Sequence, residues 1–289
     1  VRQFLNGIEA TNELYVKANS VLDGENKAIF FHDPSAKANT GKLVVEEGAE
    51  LYGGVYLFVT DGSTEWPVSV SIAASAIKEG EVKSANVPAS YRFVEDNGIW
   101  TVKAATTIAD GVAMVGEDEY YEISSKAGLL WLANEVNVNN NSFAGKTVKL
   151  AADIDLNNEE WVPIGMSGKA FSGKFDGQNH TISNLYISGN KSDVGLFGFT
   201  TNGEIKNLVV ENANVAGYLD VAVVAGTPYT SKYTNITVRG HVEVNGFAYV
   251  GAVGGKNAYA NWTDITVNVD DTSYVNANSV DAEGNAYTI

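Results

Sequence analysis

Apolar and polar residues alternate over short runs through the first part of the chain, with the period of two that is typical of β-strands. A turn signal, Asp96-Asn97-Gly98, separates two further runs within residues 91–102, and this arrangement predicts a β-hairpin. We therefore expect residues 1–118 to form a β-rich block, made either of solenoid coils or of a separate β-domain, with an acidic connector at 117–119. The strands predicted before the hairpin lie at 42–51, 55–60 and 68–72.

A different pattern, with the period of an α-helix, follows this block. Ser124 or Ser125 can cap the helix, because a serine hydroxyl accepts hydrogen bonds from the first N–H groups of a helix, and the run of asparagines at 139–141 ends it. The pattern predicts one short helix near 124–137 that covers an open end of the core. Its apolar stripe consists of Leu129, Leu132, Ala133 and Val136.

After the helix the sequence repeats itself. Three blocks rich in glycine and alanine begin at Val194, Val221 and Val250, in steps of 27 and 29 residues. A second series pairs a polar residue with a following aliphatic one, in steps of 23, 28 and 29 residues. The polar members of this series are Asn184, Asn207, Asn235 and Asp264, and the aliphatic members are Leu185, Leu208, Ile236 and Ile265.

A near-constant step of this length predicts a solenoid, because one repeat cannot bury its apolar face alone and stacked repeats can. We predict an all-β fold, a right-handed parallel β-helix with strands stacked about 4.8 Å apart. In this arrangement the aliphatic members form one inward stack, and the polar members form one ladder at a bend. A β-sandwich also contains such strands but gives no reason for a constant step.

Composition and charge exclude several classes of function. The 289 residues carry a formal net charge of −16, which makes nucleic acid a poor partner because phosphate binding requires clustered Lys and Arg. The chain has no cysteine, so it forms no disulfide or thiolate site, and it has no apolar run long enough to span a membrane. Since the chain begins at Val1 without an initiator Met or a signal peptide, we expect it to be a fragment of something longer.

Four motifs follow one another after the helix: Trp161-Val-Pro-Ile-Gly165, Phe171-Ser-Gly-Lys-Phe-Asp-Gly177, His180-Thr-Ile-Ser-Asn-Leu185 and Val194-Gly-Leu-Phe-Gly198. In this order they resemble the GLUG-repeat family, over about residues 120–270. The resemblance assigns residues 119–289 to one module and implies a parallel β-helix on secreted or cell-surface bacterial proteins, often adhesin-like. Some such repeats accompany metallopeptidases that cleave immunoglobulin A. Ala222 and Ala225 depart from the glycines usual in the family.

The sequence offers weak candidates for catalysis. A zinc peptidase needs two histidines one helical turn apart, whereas His32, His180 and His241 are far apart in the sequence. Asp153 and Asp155 lie two residues apart and would share one face of a strand, which suits either the two carboxylates of a glycosidase or solvated residues at a strand end. Asp176 and the pair at 270–271 are better explained as turn residues. We therefore predict no catalytic residue, no metal and no cofactor.

Binding is the more open question, because exposed aromatic rings stack on sugars. The candidate ligand-binding residues in the repeats are Tyr229, Tyr233, Tyr249, Tyr259 and Trp262. We predict a non-enzymatic structural or adhesive module, extracellular or on the cell surface, whose partners are host or bacterial surface glycans or proteins. The alternative is a carbohydrate-binding or polysaccharide-degrading β-helix.

Overall fold

A computed structural model shows an all-β fold of parallel β-helix coils, about eight turns in all, with one α-helix among the residues that it describes. Two compact units make up the chain, the first formed by residues 1–106 with 115–117 and the second by 107–114 with 118–289. The structure describes residues 8–10, 13–23, 29–33, 41–53, 55–59, 68–79, 82–85, 91–116 and 119–277.

The first unit consists of short strands that recur in threes, so each coil has three sides. Strands from successive coils pair in parallel in the orders β1-β4-β7-β10, β2-β5-β8 and β3-β6-β9. The predicted strands at 42–51, 55–60 and 68–72 are confirmed as β5 to β8. The strands are β1 (Ile8–Ala10), β2 (Glu13–Val16), β3 (Val21–Asp23), β4 (Ile29–Asp33), β5 (Gly41–Val45), β6 (Glu50–Tyr52), β7 (Val55–Val59), β8 (Val68–Ala73), β9 (Ile77–Glu79) and β10 (Val82–Ala85), with a 3-10 turn at Ala74–Ala76.

The predicted hairpin is confirmed and departs from the parallel pattern. Strand β11 (Tyr91–Asp96) pairs antiparallel with β12 (Ile99–Ala109) around a turn in which Asn97 and Gly98 both have positive φ. The start of β12 also pairs antiparallel with β8, so the hairpin covers an edge that the parallel strands leave open. Trp100 packs against the aliphatic core of this unit, and Trp66 lies outside the described residues.

The second unit is a longer stack of larger coils. Its strands pair in parallel, and β20 and β23 each bend around corners of the coil instead of ending there. The elements are β13 (Val112–Val115), which is shared with the first unit, β14 (Tyr120–Ile123), α1 (Lys126–Asn137), β15 (Thr147–Leu150), β16 (Ile154–Asp155), β17 (Lys174–Asp176), β18 (Thr181–Ile187), β19 (Phe197–Thr201), β20 (Glu204–Ala216), β21 (Leu219–Ala222), β22 (Ala225–Tyr229), β23 (Lys232–Gly246), β24 (Ala248–Gly251), β25 (Asn261–Val269) and β26 (Tyr274–Ala277).

A continuous core runs inside these coils. Aliphatic side chains of successive strands lie one above another, and a line of phenylalanines continues the stack from coil to coil. The ring centroids of Phe143 and Phe171 are 6.1 Å apart, and those of Phe171 and Phe197 are 5.5 Å apart. The stack is therefore held both by parallel backbone pairing and by side-chain burial.

The predicted helix is confirmed as α1. The Ser125 hydroxyl accepts a hydrogen bond from the N–H of Gly128, and the predicted apolar stripe is fully buried. The Asn137 amide donates to the carbonyl of Pro163 at 2.9 Å and accepts from the N–H of Gly165 at 2.9 Å. Helix α1 therefore lies, in its own coil, at the position that an extended segment occupies in the next coil. It covers the edge of the stack at that position. No helix in the described stretches is long and apolar enough to cross a membrane.

The prediction that four polar residues form one ladder is wrong for one of them, Asn184. Asn207, Asn235 and Asp264 do stack, but Asn184 stacks on Asn212, because Ser183 pairs with Glu211 and Leu185 pairs with Ala213. The aliphatic stack is corrected in the same way: Leu208, Ile236 and Ile265 align, and Leu185 lies over Ala213. Each coil has two bends of the same kind, and the predicted series joined one bend to the other.

Candidate functional site

The corners of the second unit are positions where the backbone enters the left-handed region. In each of four columns three residues from successive coils have φ between 50° and 79°, a conformation that Asn, Asp and Gly adopt at low cost. Column A consists of Asn207, Asn235 and Asp264; column B of Asn184, Asn212 and Gly240; column C of Asp193, Asp220 and Tyr249; and column D of Asn202, Thr230 and Tyr259. Columns C and D lie on either side of the glycine-rich blocks.

Column A carries hydrogen bonds from coil to coil. The Asn235 amide donates to the side-chain oxygen of Asn207 at 2.9 Å, and the Asn207 amide donates to Asp176 at 3.0 Å. Burial opposes ionisation of Asp176, but donors from Gln178 N–H, Asn207 and Lys206 prevail and hold its pKa below the usual range. These polar side chains are therefore bound into the stack.

The acid pair singled out in the sequence also joins neighbouring coils, and Asp155 does so through the first member of column B. Asp153 accepts from the N–H of Thr181 at 2.8 Å and contacts His180 Nδ1 at 3.1 Å. Asp155 accepts from the Asn184 amide at 2.8 Å and from a backbone N–H at 2.7 Å. These bonds lower the pKa of both carboxyl groups. Each aspartate thus has its own partners on the next coil.

A histidine cluster that sequence reasoning missed lies on an exposed face of the last coils. His241 Nε2 is 3.2 Å from Glu243 Oε1, and His241 Nδ1 is 3.1 Å from Asp270 Oδ2. The hydrogen bonds to Glu243 and then to Asp270 raise the pKa of His241, whereas Thr272, Ser273 and His241 hold the pKa of Asp270 well below its usual range. Within the described residues, no three His, Asp or Glu side chains are arranged to hold a metal ion.

Tyr233 has to be removed from the predicted ligand-binding set. Its side chain is fully buried, its hydroxyl lies 2.7 Å from Thr200 Oγ1, and burial raises its pKa. Its ring stacks on Trp262 with centroids 4.1 Å apart and planes 19° from parallel. Trp262 is half-buried and packs against the core, so both rings hold successive coils together.

The other three predicted tyrosines reach solvent. Tyr229, Tyr249 and Tyr259 have 43%, 51% and 81% of their surface exposed. The rings of Tyr229 and Tyr259 meet at 6.2 Å with planes 87° apart, while Lys256 Nζ lies 5.6 Å from the centroid of the Tyr249 ring. The rings of Tyr249 and Tyr259 belong to two different corners of one coil.

A pair of carboxylates in column C was not predicted from the sequence. Burial and the charge of Asp193 raise the pKa of Asp220, and Asp220 Oδ1 is buried without a hydrogen-bond partner. The Thr227 hydroxyl donates to Asp193, and Lys256 opposes the shift at Asp220. Asp193 and Asp220 lie 27 residues apart in the sequence, which is about one coil, so the stacking of coils brings the two side chains together.

Comparison with known proteins gives one match. The chain is 39% identical over 139 residues to Halomucin of Haloquadratum walsbyi, and the match covers 43% of this chain and 2% of that protein. The chain thus spans a very small part of the relative that it matches. No family model matches the chain, and no solved structure matches it.

Proposed function

We propose that this chain is a non-enzymatic structural and adhesive module of a secreted or cell-surface protein, which presents the corners of a stiff solenoid to ligands. The observation that carries the proposal is the contrast along the corners. Columns A and B use their polar side chains to bind one coil to the next, whereas columns C and D end in tyrosines that expose their rings. The first two columns support a rod, and the last two support a contact surface.

The bonding of the acidic residues supports a role without catalysis. Asp153, Asp155 and Asp176 each accept at least one hydrogen bond from a donor on the next coil. Their lowered pKa values keep these carboxyl groups ionised, which suits an acceptor and not a general acid.

We also propose membership of the GLUG-repeat family and a place in a larger protein. In support, Val194, Val221 and Val250, which begin the three glycine-rich blocks, stack directly on one another. The match to a small part of Halomucin is compatible with one module among many.

A second candidate, polysaccharide hydrolysis, is favoured by one observation. Asp193 and Asp220 stack on adjacent coils, and the pKa of Asp220 is raised. A glycosidase uses two carboxyl groups that flank one bond, and its general acid has a raised pKa.

One incubation separates the two functions. The purified chain is mixed with a panel of mucin and plant polysaccharides, and the same tubes are assayed for retained protein and for new reducing or unsaturated ends. Retention without release supports the proposal. Release that survives repurification and is lost in Asp220→Asn overturns it in favour of hydrolysis, and Asp153→Asn with Asp155→Asn serves as the comparison.

A further inference from the structure

We propose that the corner formed by Tyr229 and Tyr259 is a binding site for an uncharged polysaccharide. This inference rests on the proposed function, because it names the ligand class of that contact surface. The site consists of Tyr259, which is the last described member of column D, and Tyr229, which precedes Thr230, the middle member of that column.

The first step concerns the backbone of Tyr259. Its φ is 61°, and its counterparts on the two preceding coils are Thr230 and Asn202. A bulky aromatic residue in the left-handed region is strained, and such strain persists at sites where it serves a function. Tyr259 does not repay the strain by burial, since 81% of its surface is exposed. A ring at this corner therefore has a role outside the core.

The second step concerns the shape that the two rings make. Tyr229 lies one coil before Ala258, and its ring meets that of Tyr259 nearly at right angles, 6.2 Å away. One ring offers its face where the other offers its edge, so a sugar can place its C–H surface on one ring and its rim against the other. The position of Tyr229 is taken by Thr201 on the preceding coil, so within the described part of this column the ring pair joins the coils of Tyr229 and Tyr259 and is absent from the coil before them.

The third step concerns polar groups beside the rings. The Thr230 hydroxyl lies 2.8 Å from Asn202 Oδ1, and both side chains belong to the same corner. Sugar hydroxyl groups need such donors and acceptors next to an aromatic surface. The corner thus combines stacking with hydrogen bonding.

The fourth step concerns the choice of occupant. The net charge of −16 repels sulfated or uronic-acid polymers and favours an uncharged chain. Two tyrosine rings bury roughly 300–500 Å² when fully covered. A protein partner needs roughly 800 Å² on each side. A polysaccharide that runs along the corner fits this small, narrow surface better.

The test uses affinity electrophoresis of the whole chain in gels containing soluble β-glucan, galactomannan or xyloglucan, with a polyuronate gel for comparison. We expect retardation in at least one uncharged gel. Tyr259→Asn, which restores the residue type of the first coil and relieves the strain, should weaken binding about three- to tenfold. Tyr229→Thr, which copies Thr201, should weaken it to a similar extent.

One matched variant controls for the loss of a tyrosine. Tyr274→Asn removes a ring as exposed as Tyr229, at 43%, from a position outside the four columns. It should bind like the wild type. Equal loss in all three variants, or no retardation of the wild type in any uncharged gel, overturns the site. If the chain is retained on mucin proteins but is not retarded in any uncharged gel, the tyrosine site is wrong and the proposed module function stands. If new sugar ends are released, the proposed module function itself is wrong.

Discussion

The asparagine corners of column A and the tyrosine corners of columns C and D have the same left-handed backbone but different surroundings. Asn207 and Asn235 bond to each other along the stack, so the residue that suits the turn also joins the coils. Tyr249 and Tyr259 take positions that suit asparagine and leave their rings in solvent. Where residue type and backbone agree, the corner serves the fold. Where they disagree, the corner points to a function at the surface.

Columns C and D also differ in how closely the chain approaches them. A Cβ built on Gly226 would lie 2.4 Å from the N of Val194 and 2.6 Å from the carbonyl oxygen of Asp220, both in column C or next to it. A Cβ on Gly203, which follows Asn202 in column D, would lie no closer than 3.3 Å to any atom. Glycine is therefore required at position 226, where the glycine-rich block passes column C.

The largest predicted effect breaks this contact. Gly226→Ala should lower the free energy of unfolding by about 3 kcal/mol, because the clash is with backbone that cannot turn away. Urea denaturation measures the change. Gly203→Ala is the control and should cost clearly less, because its tightest contact, 3.3 Å from the carbonyl oxygen of Gly173, needs only a small shift. A mild effect of Gly226→Ala would mean that column C is less tightly packed than its geometry indicates.

A second prediction separates the two roles of column A. Asn235→Ala loses the amide bonds and places alanine at φ 53°, and it should cost about 1–2 kcal/mol of unfolding free energy. Asn235→Gly loses the same bonds but suits the turn, so it should cost less in the same denaturation experiment. Equal losses would assign the whole effect to the ladder and none to the backbone.

Much of the fold could be predicted from the sequence, because the repeat step and the alternation both reflect the stacking of coils. The register could not be predicted fully. Asn184 and Asn207 look alike because two bends in each coil select asparagine for the same φ, and only backbone pairing assigns each to its column. The anomalous step of 23 residues was the signal that the series joined different corners.

The candidate site was harder to predict, because it depends on which way a ring faces. Tyr229 and Tyr233 lie four residues apart, yet the first is exposed and the second is fully buried. Hydrophobic pattern alone does not separate an inward aromatic residue from an outward one. The stacked Asp193 and Asp220 were also missed, since no local motif joins them.

A smaller effect sharpens the contrast between the corners. Tyr249→Asn should raise the free energy of unfolding by about 1 kcal/mol, because asparagine suits φ 57° and can donate toward the stacked carboxyl group of Asp220. Thermal denaturation monitors the change. Tyr274→Asn removes a comparably exposed ring from a position without positive φ and should bring no gain. If Tyr249→Asn instead lowers the free energy of unfolding, the contact between Tyr249 and Lys256 stabilises the fold by more than the strained backbone destabilises it.

The smallest effect is pH-dependent and concerns Asp220. Burial and Asp193 raise the pKa of this carboxyl group in the folded chain, so its ionisation is disfavoured there. Stability linked to the group is full below the unfolded pKa, near 3.8, and is lost as pH rises through the folded pKa. Asp220→Asn should therefore match the wild type at acid pH and exceed it at pH 7 by less than about 1 kcal/mol, since the site is partly open to solvent. Unfolding midpoints across pH measure the difference. A variant less stable than the wild type at pH 7 would mean that the attraction of Lys256 outweighs both burial and the repulsion from Asp193.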